Sequence, residues 1–175
     1  MVLRLSLAMV LAAQFGGDLR AQLDEYQVKA AFLQNFAKFI EWPAEAFSSP
    51  SEPFTICVLG QDPFGRSLDD AVAGKLIATH PIAARRIADA RLTAGCQILY
   101  VSSSQQKHVF STLAAGKQTG ILTVGEARDG SPEDVVINLT LEQGKVRFEI
   151  NLRKANEEKL HISARLLSLA TVVRK

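Results

Sequence analysis

The segment Gly60-Gln61-Asp62-Pro63-Phe64-Gly65-Arg66-Ser67 has residue types suited to holding an anion. It follows the apolar run Phe54–Leu59 and opens a helical stretch, where backbone N–H groups can gather around a phosphate. A P-loop would need lysine where Arg66 stands, and Pro63 removes one N–H from the cradle. A capped strand-to-helix turn also accounts for the residues, with Asp62 as N-cap and Pro63 at the first helical position. What survives of the anion reading is a simpler site at Gly60, Asp62, Gly65 and Arg66.

Nucleophilic chemistry has less to work with. Ser102-Ser103-Ser104 follows another apolar run, and His108 comes four residues after Ser104, within reach on one helical turn. No third group marks a triad, and no G-x-S-x-G elbow is present. The carboxylate pairs Asp69-Asp70, Glu133-Asp134 and Glu157-Glu158 are adjacent, and adjacent residues do not share a helix face. Two cysteines and His80, His108 and His161 are scattered without ligand spacing, so neither a metal nor a cofactor is expected. Asn138-Leu139-Thr140 matches a glycosylation sequon but alternates as a strand does. No catalytic set is expected.

Cys57 and Cys96 sit in the apolar runs Phe54–Gly60 and Cys96–Val101, both of which read as buried strands. One helical stretch separates them, so they can be close neighbours in a sheet. An even cysteine count in an exported chain favours a bridge, and closing such a loop stabilises by roughly 3–4 kcal/mol. Two buried free thiols acting as small hydrophobes are the alternative.

The elements that must position these residues come from ordinary globular composition: 175 residues, 47% hydrophobic, 22% charged and a net charge of +2. That length predicts one domain with a substantial core, and it excludes a disordered tail or a disulfide-dense mini-protein. The small charge excess argues against a nucleic-acid binder. Arg4 is followed by the uncharged run Leu5–Ala13, which predicts an export signal over 1–21, cleaved after Ala13 or Ala21. That run is too short to span a bilayer, so the remaining domain, 22–175, is expected to be soluble, without membrane insertion.

Periodicity predicts a helix from Asp24, as N-cap, to Trp42, ended by Pro43. Its apolar face is Tyr26, Ala30, Leu33, Ala37 and Ile40, widened by Val28, Phe32, Phe36 and Phe39, with Lys29, Gln34, Lys38 and Glu41 toward the other side. A helix from Asp62 to Ala73, strands over Leu76–Thr79 and Ile82–Ile87, and the Cys96 strand come next. A helix from Ser104 to Ala115 and a strand over Gly120–Val124 follow. Val135–Leu141 and Val146–Ile150 predict a hairpin, then a helical stretch Leu152–Glu158 and an amphipathic helix Ser163–Val173. Alternating strands and helices predict an α/β domain, its mostly parallel sheet flanked by helices, with an antiparallel edge hairpin.

Three segments taken together carry a resemblance. They are Tyr26–Pro43, Phe54–Gly65, and Arg147–Leu152 with Leu160–Ala170. They resemble the YfiR family of exported bacterial proteins, over about Tyr26 to Val173. The helix ending Phe39-Ile40-Glu41-Trp42-Pro43 and the Arg147–Asn151 segment are the most specific pieces. The resemblance implies a periplasmic α/β domain without catalytic activity that represses a membrane-bound diguanylate cyclase by binding its periplasmic sensor domain. Its release would raise cyclic-di-GMP and favour biofilm. The resemblance also implies that Cys57 and Cys96 form a family disulfide; a homodimer stays open. Trp42, at the helix end before Pro43, either plugs the bottom of the sheet or anchors a protein partner, and Arg147 and Glu149 are further candidate partner contacts. The chain departs from relatives at Gly125–Asp134, where a Gly-Gly turn and, in some, a second cysteine pair are absent. A competing reading is a periplasmic receptor for a small anion, nucleotide or amino acid, held at the Asp62–Gly65 turn.

Overall fold

Short apolar, β-branched runs bounded by turn residues build the sheet, and one aromatic-rich helix lies across it. The structure, a computed structural model, describes residues 6–49, 51–105, 109, 112, 119–126 and 134–175. In chain order the helices are α1 (Ser6–Phe36), α2 (Arg66–Val72), α3 (Leu152–Glu157) and α4 (Ala164–Leu167). The strands are β1 (Ile40–Glu41), β2 (Phe54–Leu59), β3 (Leu76–Ile77), β4 (His80–Ile87), β5 (Ile98–Val101), β6 (Leu122–Gly125), β7 (Ile137–Glu142), β8 (Lys145–Asn151), β9 (His161–Ile162) and β10 (Val172–Arg174).

The main sheet has the order β10-β8-β7-β6-β5-β2-β4-β3, and β1 and β9 pair separately. Strands β4, β2, β5, β6 and β7 are parallel. Strand β8 returns antiparallel through Gln143-Gly144, both with positive φ, and β10 adds parallel to β8. The hairpin β3–β4 closes the opposite edge. Winding leaves β2 in both directions, to β4 on one side and β5 on the other, so the crevice between the C-terminal ends of β2 and β5 is the topological switch point. The mostly parallel α/β architecture expected from the sequence is present.

Alternation sends Ile56, Val58, Ile98, Tyr100, Leu122 and Val124 to the face under α1 and α2, and Cys57, Leu59, Leu99 and Val101 to the other. Helix α1 buries Ala30, Leu33 and Phe36, and the turn that follows it buries Ala37. Phe32 and Phe36 meet the Phe148 ring of β8 with centroids 5.6 and 5.2 Å apart.

Several boundaries differ from expectation for physical reasons. Helix α1 runs through Asp24, so Asp24 caps nothing; the leucines and alanines on both sides keep helical propensity high. It stops at Phe36, short of Pro43, in i→i−3 turn bonds from Lys38 and Phe39. Ile40 and Glu41 then pair with Ile162 and His161, so strand pairing takes residues that periodicity gave to the helix. Lys29 and Gln34 are buried, not solvent-facing. Helix α2 begins at Arg66, because Asp62 spends its carboxylate on the Phe64 N–H, 2.8 Å away, in a local turn. The last helix is cut to Ala164–Leu167, where the Ser163 hydroxyl accepts from Leu166 N–H at 3.3 Å. The β-branched Thr171-Val172-Val173 run then leads the chain into β10, Val172–Arg174, alongside β8. Most of the expected helix from Ser104 to Ala115 lies outside the described residues.

Candidate functional site

The C-terminal end of the sheet is where an α/β fold ordinarily takes a ligand. Among the described residues, the chain's own groups occupy the part of it beside Gly60. Gly60 leaves β2 with φ +89°, donates its N–H to Ile87 at 3.2 Å, and sits against the Ser102–Gln105 turn. A Cβ at Gly60 would lie 2.6 Å from Gln105 Cγ and 2.9 Å from Ser104 Oγ, so only glycine fits. Ser104 Oγ accepts from Gln61 N–H at 3.4 Å and bonds Ser102 Oγ at 3.3 Å. Its expected companion His108 lies outside the described residues.

The sequence-predicted anion turn holds an internal ion cluster. Arg86 of β4 donates from Nε to Asp62 at 2.9 Å and from Nη2 to the Gly65 carbonyl at 2.7 Å, and it also pairs with Asp69. The Asp69 hydrogen bond, foremost, raises the Arg86 pKa. Carboxylates and a carbonyl therefore surround the turn, and Phe64 N–H is already taken by Asp62. Arg66 is exposed at the start of α2 and does not join the cluster.

A second cluster lies between α1 and the ends of β5 and β6. Lys29, 2% exposed, pairs with Glu25 and, at 2.7 Å, with Glu126. The Tyr100 hydroxyl donates to Glu126 at 2.6 Å, and the Tyr26 hydroxyl reaches the same carboxylate at 3.4 Å. Burial, with the Glu126 charge beside it, pushes the Tyr100 pKa far above the usual tyrosine range, so it stays a donor. The Phe64 ring packs edge-on against Tyr26 and Tyr100, with centroids 5.5 and 4.7 Å away. Sequence reasoning missed this cluster, because Glu126 comes from a distant part of the chain.

Cys57 and Cys96 are joined, with Cα atoms 5.8 Å apart. Both are buried. Arg85, paired with Cys57 across β2 and β4, places Nη2 3.0 Å from Cys96 Sγ and 2.6 Å from the Ala94 carbonyl. It thereby ties the turn before β5 to the sheet, a contact that no local pattern around Arg85 announces.

The residues expected to touch a partner do not form one surface. Trp42 is half-buried, packs against Phe54 at 4.9 Å, and donates its indole N–H to the Gln97 carbonyl at 3.2 Å. It belongs to the α1 face of the sheet. Arg147 is exposed on β8 and alternates with buried Val146 and Phe148, so it points to the opposite face. Glu149 shares that face and accepts from Arg174 of β10 at 2.9 Å.

Among the described residues, no group of three or more His, Cys, Asp or Glu could hold a metal ion. No helix among them is long and apolar enough to cross a membrane. A family model described as YfiR/HmsC-like matches residues 26–171. No curated protein matches the chain.

Proposed function

Because the chain belongs to the YfiR/HmsC-like family, we propose that it is a non-catalytic periplasmic repressor that binds the periplasmic sensor domain of a membrane-bound diguanylate cyclase. In that role it lowers cyclic-di-GMP and restrains biofilm formation. The observation that carries the reading is the span of the match, which covers β1–β9, α2–α4 and most of the α1 residues that are buried. At the Asp62–Gly65 turn, the pairing of Arg86 with Asp62 and Asp69 favours this reading over a small-anion receptor. Residues 1–21 serve as the export signal, removed after Ala13 or Ala21, which leaves the Lys29 cluster intact. On the surface, Arg147 and Glu149 contact the cyclase domain, while the Trp42 ring is committed to Phe54 and Gln97.

The test is calorimetric titration of the purified chain with the periplasmic domain of a membrane-bound diguanylate cyclase from the same cell. The wild-type chain binds, and Arg147→Glu weakens binding at least tenfold with an unchanged melting temperature. Absence of wild-type binding overturns the reading. Unchanged binding by Arg147→Glu moves the contact off β8.

A further inference from the structure

Both expected cleavage points leave the same residue type at the front of the exported chain. A cut after Ala13 makes Gln14 the first residue, and a cut after Ala21 makes Gln22 the first. An N-terminal glutamine holds a free amine and a side-chain amide at the spacing of a five-membered ring, so the two groups meet without a second molecule. The structure shows Gln22 exposed in α1, with no side-chain hydrogen bond to any described residue. Leu23 and Asp24 beside it are exposed too, so a helix end at Gln22 is open to solvent. In an α-helix the Gln22 N–H belongs to the carbonyl four residues back, at Asp18, and the cut removes Asp18. The nitrogen is then free to react.

We propose that the exported chain closes its own N-terminus as pyroglutamate, a neutral five-membered lactam; this rests on the export step of the proposed function. The α-amine attacks the carbon of its own side-chain amide. A new C–N bond forms, the bond to the amide nitrogen breaks, and ammonia leaves with a proton from the amine. The reacting form is the uncharged amine, about a tenth of N-terminal amines at pH 7. For a start at Gln22 the change bears on the buried cluster of α1. Glu25, three residues on, carries the carboxylate that pairs with Lys29. A side chain at that spacing reaches back to the nitrogen of the first residue, so an α-ammonium at Gln22 competes with Lys29 for Glu25. A positive charge at the N-terminal end of a helix also opposes its dipole. The lactam removes the charge, keeps one N–H, and leaves Glu25 to Lys29.

The experiment takes the chain released from the periplasm and follows its N-terminal peptide by mass spectrometry during incubation at neutral pH. The peptide is expected to begin at Gln14 or Gln22 and to become lighter by one ammonia in rising proportion. The lighter form resists stepwise sequencing from its N-terminus until pyroglutamyl aminopeptidase removes the first residue. The double variant Gln14→Ala, Gln22→Ala keeps its full mass and a reactive amine. In a chain that starts at Gln22, the cyclised form melts higher than the open one, and Glu25→Gln narrows that gap. A peptide that begins at either glutamine and keeps its ammonia throughout overturns the proposal and leaves the export step standing. A chain that still begins at Met1, or at a residue other than these glutamines, overturns the expected cleavage and the proposal with it. Ammonia loss that persists in the double variant belongs to an internal amide and overturns the proposal. Equal melting of the open and cyclised forms overturns the effect on Glu25.

Discussion

The two ends of the sheet are built on opposite terms. At the switch-point end, charged groups are turned on one another: Lys29 with Glu25 and Glu126, Arg86 with Asp62 and Asp69. At the α3–β10 end, Arg153 and Lys175 line an open depression, and Arg153 reaches Glu157 only at 3.7 Å. The difference teaches that charged groups of one sheet can be satisfied internally at one end and left to solvent at the other. Among the described residues at the crevice where such sheets ordinarily bind, the charged groups of both clusters are spent on internal pairs.

The two ends share the α1 core, and the largest expected effect tests that. Phe36→Ala empties a site against Phe32 and Phe148 and should cost about 3–5 kcal/mol in chemical denaturation. Leu169→Ala, at an exposed position, should stay within about 0.5 kcal/mol. Near-equal values would break the assignment of α1 to the core.

The ends themselves separate in a matched pair of cation deletions. Lys29→Met leaves the Glu25 and Glu126 carboxylates without their ammonium and should cost about 2–3 kcal/mol, somewhat less than full burial would imply. Arg153→Met removes an exposed, loosely paired charge and should change stability by less than about 0.5 kcal/mol. A Lys29→Met variant as stable as the parent would show that the switch-point cluster is not structural.

Much of this was legible in the residues, and the exceptions share a cause. The strands Phe54–Leu59 and Val146–Ile150 announce themselves as apolar, β-branched runs, and Gln143-Gly144 marks their hairpin neighbour's turn. Cys57 and Cys96 could be placed together because their runs flank one helix. What stayed hidden depends on distant segments. Nothing local distinguishes Lys29 from Lys38 until Glu126, 97 residues on in the chain, arrives beside it. Ile40 reads as helix until Ile162 offers a strand partner. Asp62 reads as a helix cap until Arg86 arrives from β4.

The smallest effect sharpens the α3 end. Burial raises the Glu158 pKa above the ordinary value near 4.5, although the Ile121 N–H, 3.3 Å away, favours the charged form. The unfolded chain therefore releases this proton at lower pH than the folded one. Glu158 stabilises the fold fully below the ordinary value, and that contribution is lost as pH rises through the raised one. Glu158→Gln keeps an acceptor for Ile121 and should flatten this part of the stability profile. A variant whose profile matches the parent would show that the Glu158 carboxyl titrates alike in both states.

The central claim, repression of a membrane-bound cyclase, is tested most directly by cellular cyclic-di-GMP in a strain that expresses the cyclase and lacks this protein. The account predicts a rise, reversed by the wild-type chain and not by Arg147→Glu. An unchanged cyclic-di-GMP level on loss of the protein would contradict it.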